Sequence, residues 1–323
     1  QWSMRTSFDR TRNHITELGL PEYFTGAGGG GGDGSLFLIT ADPTKQDGIP
    51  RNRFGAMWGR KFYTACSEMA ASLQSQCGEG KAYQVNGQGW VTWVGDGNSW
   101  KDGITRNLWQ TKLSTADSPW NVPIYFGMPI VDRPLRGEIG ETAGKQHILG
   151  NALPSYRASY NTTLTYKRLN VYGLFDGTFG HRIDNVNKGW GVFDFQSDYF
   201  DQQGRTVEEA TPVGYGWRVG SPEGAGIGGF YDRLGPNNWN VEPGTYVKLR
   251  EVSVSYKVGP IAGVGDWTFG LVGRNLKTWT SYGGVDPEVG SGGGDANSSF
   301  INQVDAFNFP PTRNFTFSFT TRF

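Results

Sequence analysis

The end of the chain carries the clearest alternation of apolar and polar residues. Phe315, Phe317, Phe319 and Phe323 alternate with asparagine, threonine, serine and arginine residues. Successive side chains of a β-strand point to opposite faces, so this spacing places the phenylalanines on one face and the polar side chains on the other. The pattern is typical of a strand that lies between lipid and a water-filled lumen.

The same period of two predicts six further strands along the chain. They cover residues 2–8, 54–64, 160–166, 169–175, 252–258 and 267–274. Lys167 and Arg168 interrupt the alternation between the third and the fourth of these strands. This short interruption predicts a hairpin with a tight turn.

Long segments rich in glycine, proline, asparagine and aspartate separate the predicted strands. They cover residues 26–34, 114–154, 185–244 and 283–308. Brief turns at one end of a sheet and long loops at the other are the asymmetry of an outer-membrane β-barrel. A secreted β-sandwich or jelly roll also alternates, but its dry core favours more Val, Ile and Leu and fewer aromatic residues. The sequence therefore predicts an all-β fold, an antiparallel transmembrane β-barrel with long extracellular loops.

The composition of the chain agrees with this fold class. Of its 323 residues 49 are glycine, and 14% are aromatic, as in all-β proteins with many turns. The chain has 30 basic and 30 acidic residues and no long basic run, so nucleic acid is not an expected partner. No stretch approaches the roughly 20 consecutive apolar residues of a membrane helix.

Several recognisable motifs follow one another along the chain. They are FGAMWGRKF at residues 54–62, VNGQG at 85–89 with GDG at 95–97, ILGNALPSY at 148–156, YVKLREVSVSY at 246–256, GRNL at 273–276 and VDPE at 285–288. In this order they resemble the C-terminal region of SusC/RagA-type TonB-dependent transporters, and the resemblance covers most of residues 54–323.

This resemblance implies that residues 1–323 are the C-terminal part of a plugged barrel of about 22 strands. The family's plug and first barrel strands have no counterpart here, and sequence upstream of Gln1 is expected. The implied function is uptake of glycan or peptide oligomers across the outer membrane of a Gram-negative bacterium. The implied partners are a SusD/RagB-like surface lipoprotein as lid, the TonB complex and outer-membrane lipid.

Two other functions stay open from the sequence. A processed barrel fragment would expose the edges of its sheet, and copies of it would assemble into a structural or adhesive surface subunit. A small passive porin would need several more strands than the pattern predicts.

Aromatic residues in the long segments are expected to be exposed, where they would stack on sugar rings or contact a partner. Trp120 and Trp239 belong to this set. The best candidates for ligand or lid contact are six residues of two segments: Trp93, Trp100, Trp109, Tyr215, Trp217 and Tyr231.

Cys66 and Cys77 lie close together in a polar segment and favour a disulfide, with two unpaired thiols as the alternative. No catalytic residue, cofactor or metal site is predicted, and the chain is not expected to be an enzyme. Asp286 and Glu288 are paired carboxylates, but no rigid element of the sequence fixes their separation. The three histidines, His14, His147 and His181, lie near no nucleophile motif.

Overall fold

The computed structural model describes residues 1–27, 35–108, 111–139, 144–193, 203–208, 237–261, 263–288 and 303–322. The strands are β1 (Trp2–Asp9), β2 (Tyr23–Ala27), β3 (Ser35–Ile39), β4 (Lys45–Gln46), β5 (Ile49–Pro50), β6 (Ala56–Arg60), β7 (Tyr83–Val85), β8 (Val91–Trp93), β9 (Lys112–Leu113), β10 (Ile124–Tyr125), β11 (Gln146–Asn151), β12 (Tyr156–Tyr166), β13 (Leu169–Phe179), β14 (Arg182–Asn185), β15 (Val241–Pro243), β16 (Tyr246–Ile261), β17 (Val264–Thr280), β18 (Val304–Asp305) and β19 (Asn314–Arg322). The α-helices are α1 (Ala71–Gln74) and α2 (Val186–Phe193), and two 3-10 helices cover Cys66–Glu68 and Trp100–Asp102. In these ranges, no helix has the length and apolar character needed to cross a membrane.

Six long strands form one antiparallel sheet in the order β1-β12-β13-β16-β17-β19. Each of them contains one of the strands predicted from the alternation, except that Phe323 lies outside the described residues. The predicted all-β antiparallel fold class is confirmed. The prediction for residues 54–64 was wrong in extent, because β6 covers only Ala56–Arg60. This strand also belongs to a different sheet, ordered β11-β6-β3-β2.

The register of the six-stranded sheet aligns apolar residues from strand to strand on one side, which we call the apolar face. One row runs across all six strands through Phe317, Leu271, Val254, Val171, Leu164 and Trp2. Phe315, Phe317 and Phe319 are 65–68% exposed. Phe269 also contacts Phe317, with ring centroids 6.3 Å apart. An exposed aromatic surface of this kind needs an apolar environment to cover it.

The opposite side of the same sheet, which we call the polar face, carries mostly hydroxyl, amide and charged groups. A row next to the apolar one runs through Thr316, Val272, Ser253, Tyr172, Thr163 and Ser3. The next row runs through Asn314, Arg274, Glu251, Leu174, Asn161 and Arg5, in which Leu174 is the one apolar member. The two faces therefore differ in polarity as a lipid-facing and a water-facing surface would.

The connections between the six strands are short at one end of the sheet and long at the other. Two residues join β12 to β13, and two join β16 to β17. Lys167, in the first of these turns, has a φ of 55°, a left-handed conformation that tight turns require. At the other end lie the first connection (residues 10–155), the second (180–245) and the third (281–313). The predicted asymmetry of the loops is present in the sheet.

The three connections pack against one another. Trp239 of the second connection is buried in one cluster with Phe62 and Phe126 of the first. Strand β14 of the second connection pairs with β15 and, in parallel, with β18 of the third. The backbone N–H of Phe62 donates to Oδ1 of Asn238 over 2.8 Å, and Nδ2 of Asn238 donates back to the Phe62 carbonyl over 3.0 Å. The described parts of the connections thus form one packed layer at the end of the sheet.

This layer differs from the loops that the sequence predicts for residues 114–154 and 185–244. Trp120 and Trp239 were expected to be exposed, and that expectation was wrong, since they are 1% and 3% exposed. Strands of two to six residues hold these segments together, for example β10 and β14. Such strands are too short to show a period of two, and the glycine and proline between them hide the core.

Candidate functional site

The polar face of the sheet meets the third connection in a network of charged side chains. Nζ of Lys248 lies 2.6 Å from Oδ1 of Asp286 and 3.0 Å from Oε2 of Glu288. Nη1 of Arg250 lies 2.6 Å from the same Glu288 oxygen, and Nε of Arg250 lies 2.7 Å from Oδ1 of Asp176. These five residues, which we call the charge network, join β13, β16 and the third connection.

Lys248 is the centre of the charge network. Its side chain is 1% exposed, whereas those of Asp286 and Glu288 are 14% and 36% exposed. A buried ammonium needs partners for its charge, and the two carboxylates supply them. Asp286 and Glu288, the paired carboxylates of the sequence, are therefore held by Lys248 and Arg250. The network fastens the third connection to the polar face.

Two of the six predicted contact residues, Trp93 and Trp100, are half-buried parts of the framework. Trp93 lies in β8 and contacts the two clusters around Phe62 and Tyr83. Trp100 starts a 3-10 helix and packs against the Phe62 cluster. A Cβ atom at Gly87 would lie 2.9 Å from the Trp100 ring, so this glycine permits the close approach. Trp109, Tyr215, Trp217 and Tyr231 lie outside the described residues.

A disulfide joins Cys66 and Cys77, whose Cα atoms are 5.6 Å apart. It links the Cys66–Glu68 3-10 helix to the residues that follow α1. Cys77 also packs against the buried cluster of Tyr83 and Trp120. The bond closes a short surface loop over this cluster.

His147 connects three segments of the first connection. Its Nδ1 lies 2.8 Å from Oδ2 of Asp47, and its Nε2 lies 3.0 Å from Oδ2 of Asp132. The hydroxyl of Tyr63 donates to the other Asp132 oxygen over 2.8 Å, and Lys145 lies 3.3 Å from that oxygen. The hydrogen bond to Asp132 raises the pKa of His147; burial opposes this shift, and Asp47 adds to it. A protonated imidazole donates to both carboxylates, so this site holds the connection together best when it is charged.

Two other ionisable groups are buried in the second connection. Burial lowers the pKa of His181 to about 4, and the positive charge of Arg157 adds to this effect. Asp184 in β14 is fully buried, and neither of its carboxylate oxygens has a hydrogen-bond partner among the described residues. Burial raises its pKa to about 7. The described residues contain no group of three or more His, Cys, Asp or Glu side chains that would hold a metal ion.

The six-stranded sheet has an apolar and a polar face, and its three long connections lie at one end. These features define an all-β protein of the outer-membrane barrel type. No protein-family model matches the chain. The TonB-dependent receptor P26 of Formosa agariphila is 25% identical over 181 residues, which are 54% of this chain and 18% of that receptor. This similarity confirms the resemblance to TonB-dependent transporters that the sequence indicates.

Solved structures of the RagAB peptide transporter and of the RagAB peptide importer in its closed-closed state resemble the fold. The identities are 12% and 13% and the TM-scores 0.49 and 0.48, over 98% of this chain and 26% and 27% of those chains. The chain thus spans about a fifth to a quarter of the relatives it matches. The names of these relatives describe a receptor and transporters, in agreement with the prediction that the chain is not an enzyme.

Proposed function

We propose that the chain is the C-terminal barrel portion of a transporter that takes up glycan or peptide oligomers across the outer membrane. The observation that carries this proposal is the register of the six-stranded sheet. It sets an uninterrupted apolar row from Phe317 to Trp2 on one face and a polar row from Thr316 to Ser3 on the other. A sheet that separates lipid from a wet lumen requires this division.

The proposal includes parts of the transporter that lie outside residues 1–323. Further strands would pair with the free edges of β1 and β19, and a plug would fill a barrel of about 22 strands. The family resemblance supports a SusD/RagB-like surface lipoprotein as lid, the TonB complex as energy source, and a Gram-negative outer membrane as location. The packed layer of connections is the surface that this lid would cover. Trp109, Tyr215, Trp217 and Tyr231 remain the predicted ligand or lid contacts, together with the exposed edges of Trp93 and Trp100.

Cysteine accessibility tests the orientation of the sheet. Thr316 and Phe317 are neighbours in β19 and belong to opposite faces. In the full-length transporter in intact outer membranes, Thr316→Cys should react with a small charged thiol reagent that enters the lumen. Phe317→Cys should react only with a lipid-soluble maleimide. Within residues 1–323, Cys66 and Cys77 are bonded to each other, and the transporter without an introduced cysteine serves as the labelling control. Equal labelling of both positions by the charged reagent would refute a lipid-facing apolar face.

Uptake itself is tested in cells that express the full-length protein. Fluorescent oligopeptides and oligosaccharides should accumulate in the periplasm, and an uncoupler that collapses the proton gradient should abolish this accumulation. Accumulation that persists with the uncoupler would contradict energy-coupled transport and would favour a passive pore.

Among the described strands, none pairs with the outer edges of β1 and β19. These edges also fit a second function, a surface subunit that assembles with copies of itself. Solubility without detergent distinguishes the transporter from the self-assembling subunit. The transporter requires detergent to stay dispersed because its apolar face is exposed, whereas the subunit would form regular assemblies in buffer that electron microscopy detects.

A further inference from the structure

Two adjoining cavities lie where β1 leaves the sheet and the first connection begins. Their volumes are about 190 and about 260 Å³. The first lies among Asp9, Thr11, Asn13, Arg53, Tyr156 and Arg157, and the second among Arg10, Arg12, His14, Pro50, Arg53 and Ser155. Arg53 lines both cavities and therefore marks their junction.

Positive charge dominates these cavities. Arg10, Arg12, Arg53 and Arg157 line them, against the single carboxylate of Asp9. In the part of the chain that the structure describes, none of the four guanidinium groups forms an ion pair with a carboxylate. The arrangement places four guanidinium groups around a single carboxylate.

Two nearby carboxylates, Glu22 and Asp42, pair with the neighbouring Arg51. Its guanidinium lies 3.0 Å from Oε2 of Glu22 and also binds Asp42. Arg53, two residues further, is half-buried and has neither partner. Burial lowers the pKa of Arg53, and the positive charge of Arg12 lowers it further. The charges in the cavities therefore repel one another, and an anion would relieve this repulsion.

The chemistry of the lining selects the kind of anion. A guanidinium presents a planar fork of N–H donors that matches the oxygens of a carboxylate, sulfate or phosphate. Hydroxyl groups of Thr11 and Ser155 and the amide of Asn13 add neutral donors to the same walls. Asp9 and Arg157 are register partners at the end of the polar face, so the cavities open where that face meets the connections.

We propose that these cavities, centred on Arg53, bind an oxyanion: a carboxylate, sulfate or phosphate group. In the transporter, the site would select oligomers that carry such groups as they approach the polar face. The selection of oligomers rests on the proposed function, whereas the binding of the oxyanion does not.

The phosphates of lipid headgroups have the same chemistry as the anionic groups of a soluble oligomer. The experiment below therefore distinguishes lipid from soluble anions.

The test uses the purified full-length protein in neutral detergent. Isothermal titration calorimetry measures binding of inorganic sulfate and of tetragalacturonate, with neutral maltotetraose as reference. We expect both anions to bind, maltotetraose to bind at least tenfold more weakly than tetragalacturonate, and anion binding to weaken as sodium chloride is raised. Arg53→Gln should weaken sulfate binding about tenfold, because it removes charged hydrogen bonds. Arg12→Gln, at an exposed position, should weaken it in the same direction and is a second variant in case Arg53→Gln does not fold.

Arg106→Gln is the matched control. Arg106 lies in the first connection outside both cavities and pairs with Asp102, so the control makes the same change of charge elsewhere. Equal sulfate binding by the wild type, Arg53→Gln and Arg12→Gln would overturn the proposal, as would the absence of any binding. A loss of binding in Arg106→Gln as large as in Arg53→Gln would also overturn it, because the effect would then come from total charge.

The source of the oxyanion is decided by repeating the titration in mixed micelles with phosphatidylglycerol. Competition by this lipid that is lost in Arg53→Gln assigns the site to headgroup phosphates. Tetragalacturonate binding that is unaffected by the lipid assigns it to soluble anions. If uptake of all oligomers fails but sulfate still binds in an Arg53-dependent manner, the proposed function is wrong and the oxyanion site stands.

Discussion

Replacing Lys248 by methionine should loosen the third connection from the sheet. The substitution keeps a long apolar side chain but leaves Asp286 and Glu288 without the ammonium that lies 2.6 and 3.0 Å from them. Removing one partner of a buried ion pair costs about 3–5 kcal/mol. Glu288 keeps Arg250 and is 36% exposed, so water and this arginine offset part of the loss. We therefore expect a decrease of about 3 kcal/mol in the free energy of unfolding.

Urea unfolding of the full-length protein in detergent, followed by tryptophan fluorescence, measures this decrease. Lys257→Met is the matched control, because Lys257 lies in the same strand and is exposed. It should change the free energy of unfolding by no more than about 0.5 kcal/mol. The double variant Lys248→Met with Asp286→Asn should recover part of the loss, since it also removes a charge that has lost its partner. Equal stability of Lys248→Met and Lys257→Met would refute the role of the charge network.

Three further predictions concern the connections. The pKa of His147 is raised in the folded protein, so its contribution to stability is full below about pH 6.5 and is lost as the pH rises through the higher folded value. In His147→Gln, the unfolding midpoint should therefore depend less on pH between pH 6 and 8 than in the wild type. Burial raises the pKa of Asp184 to about 7, so ionisation of this group lowers the free energy of unfolding as the pH rises from about 4 to 7. Asp184→Asn should therefore be more stable than the wild type at pH 8 but not at pH 4. Replacing Cys66 and Cys77 by serine opens a loop with a sequence separation of 11 and should cost about 3 kcal/mol in thermal unfolding, while reducing agent should have no further effect on this variant.

The six long strands were predictable from the sequence because each repeats its alternation over seven or more residues. Residues 160–166 and 169–175 even predict the hairpin with its turn at Lys167 and Arg168. In the structure these segments extend to Tyr156–Tyr166 and Leu169–Phe179. Period two is a strong signal here because the two faces meet different surroundings, and a shift of one residue would exchange them.

The packed layer of connections was not predictable in the same way. Its core forms between residues that are far apart in sequence, such as Phe62 and Trp239, and its strands are as short as two residues. A tryptophan in a glycine-rich segment looks the same in the sequence whether it contacts solvent or a core. In the structure, Trp120 and Trp239 are buried in the core.

The charged sites depend on contacts that only the fold creates. Lys248 and Asp286 are 38 residues apart, and both are ordinary charged residues in the sequence. The cavity lining around Arg53 comes from residues 9–14, 50–54 and 151–157. Pairing of β1 with β12 brings the first and the last of these segments together, and a backbone hydrogen bond from Ile15 to Asn52 holds the middle one beside them. A search for motifs of neighbouring residues does not find such sites.

The pairing of distant strands sets the order in which the chain can fold. Hairpins β12–β13 and β16–β17 need only two-residue turns, so they can form early and with a small loss of conformational entropy. Strand β1 must close a loop of more than a hundred residues to reach β12, and β14 must wait for β18. Loop-closure entropy delays both steps. We expect the two hairpins to assemble first, and the layer that links the connections to become ordered last, after the residues of β18 have arrived.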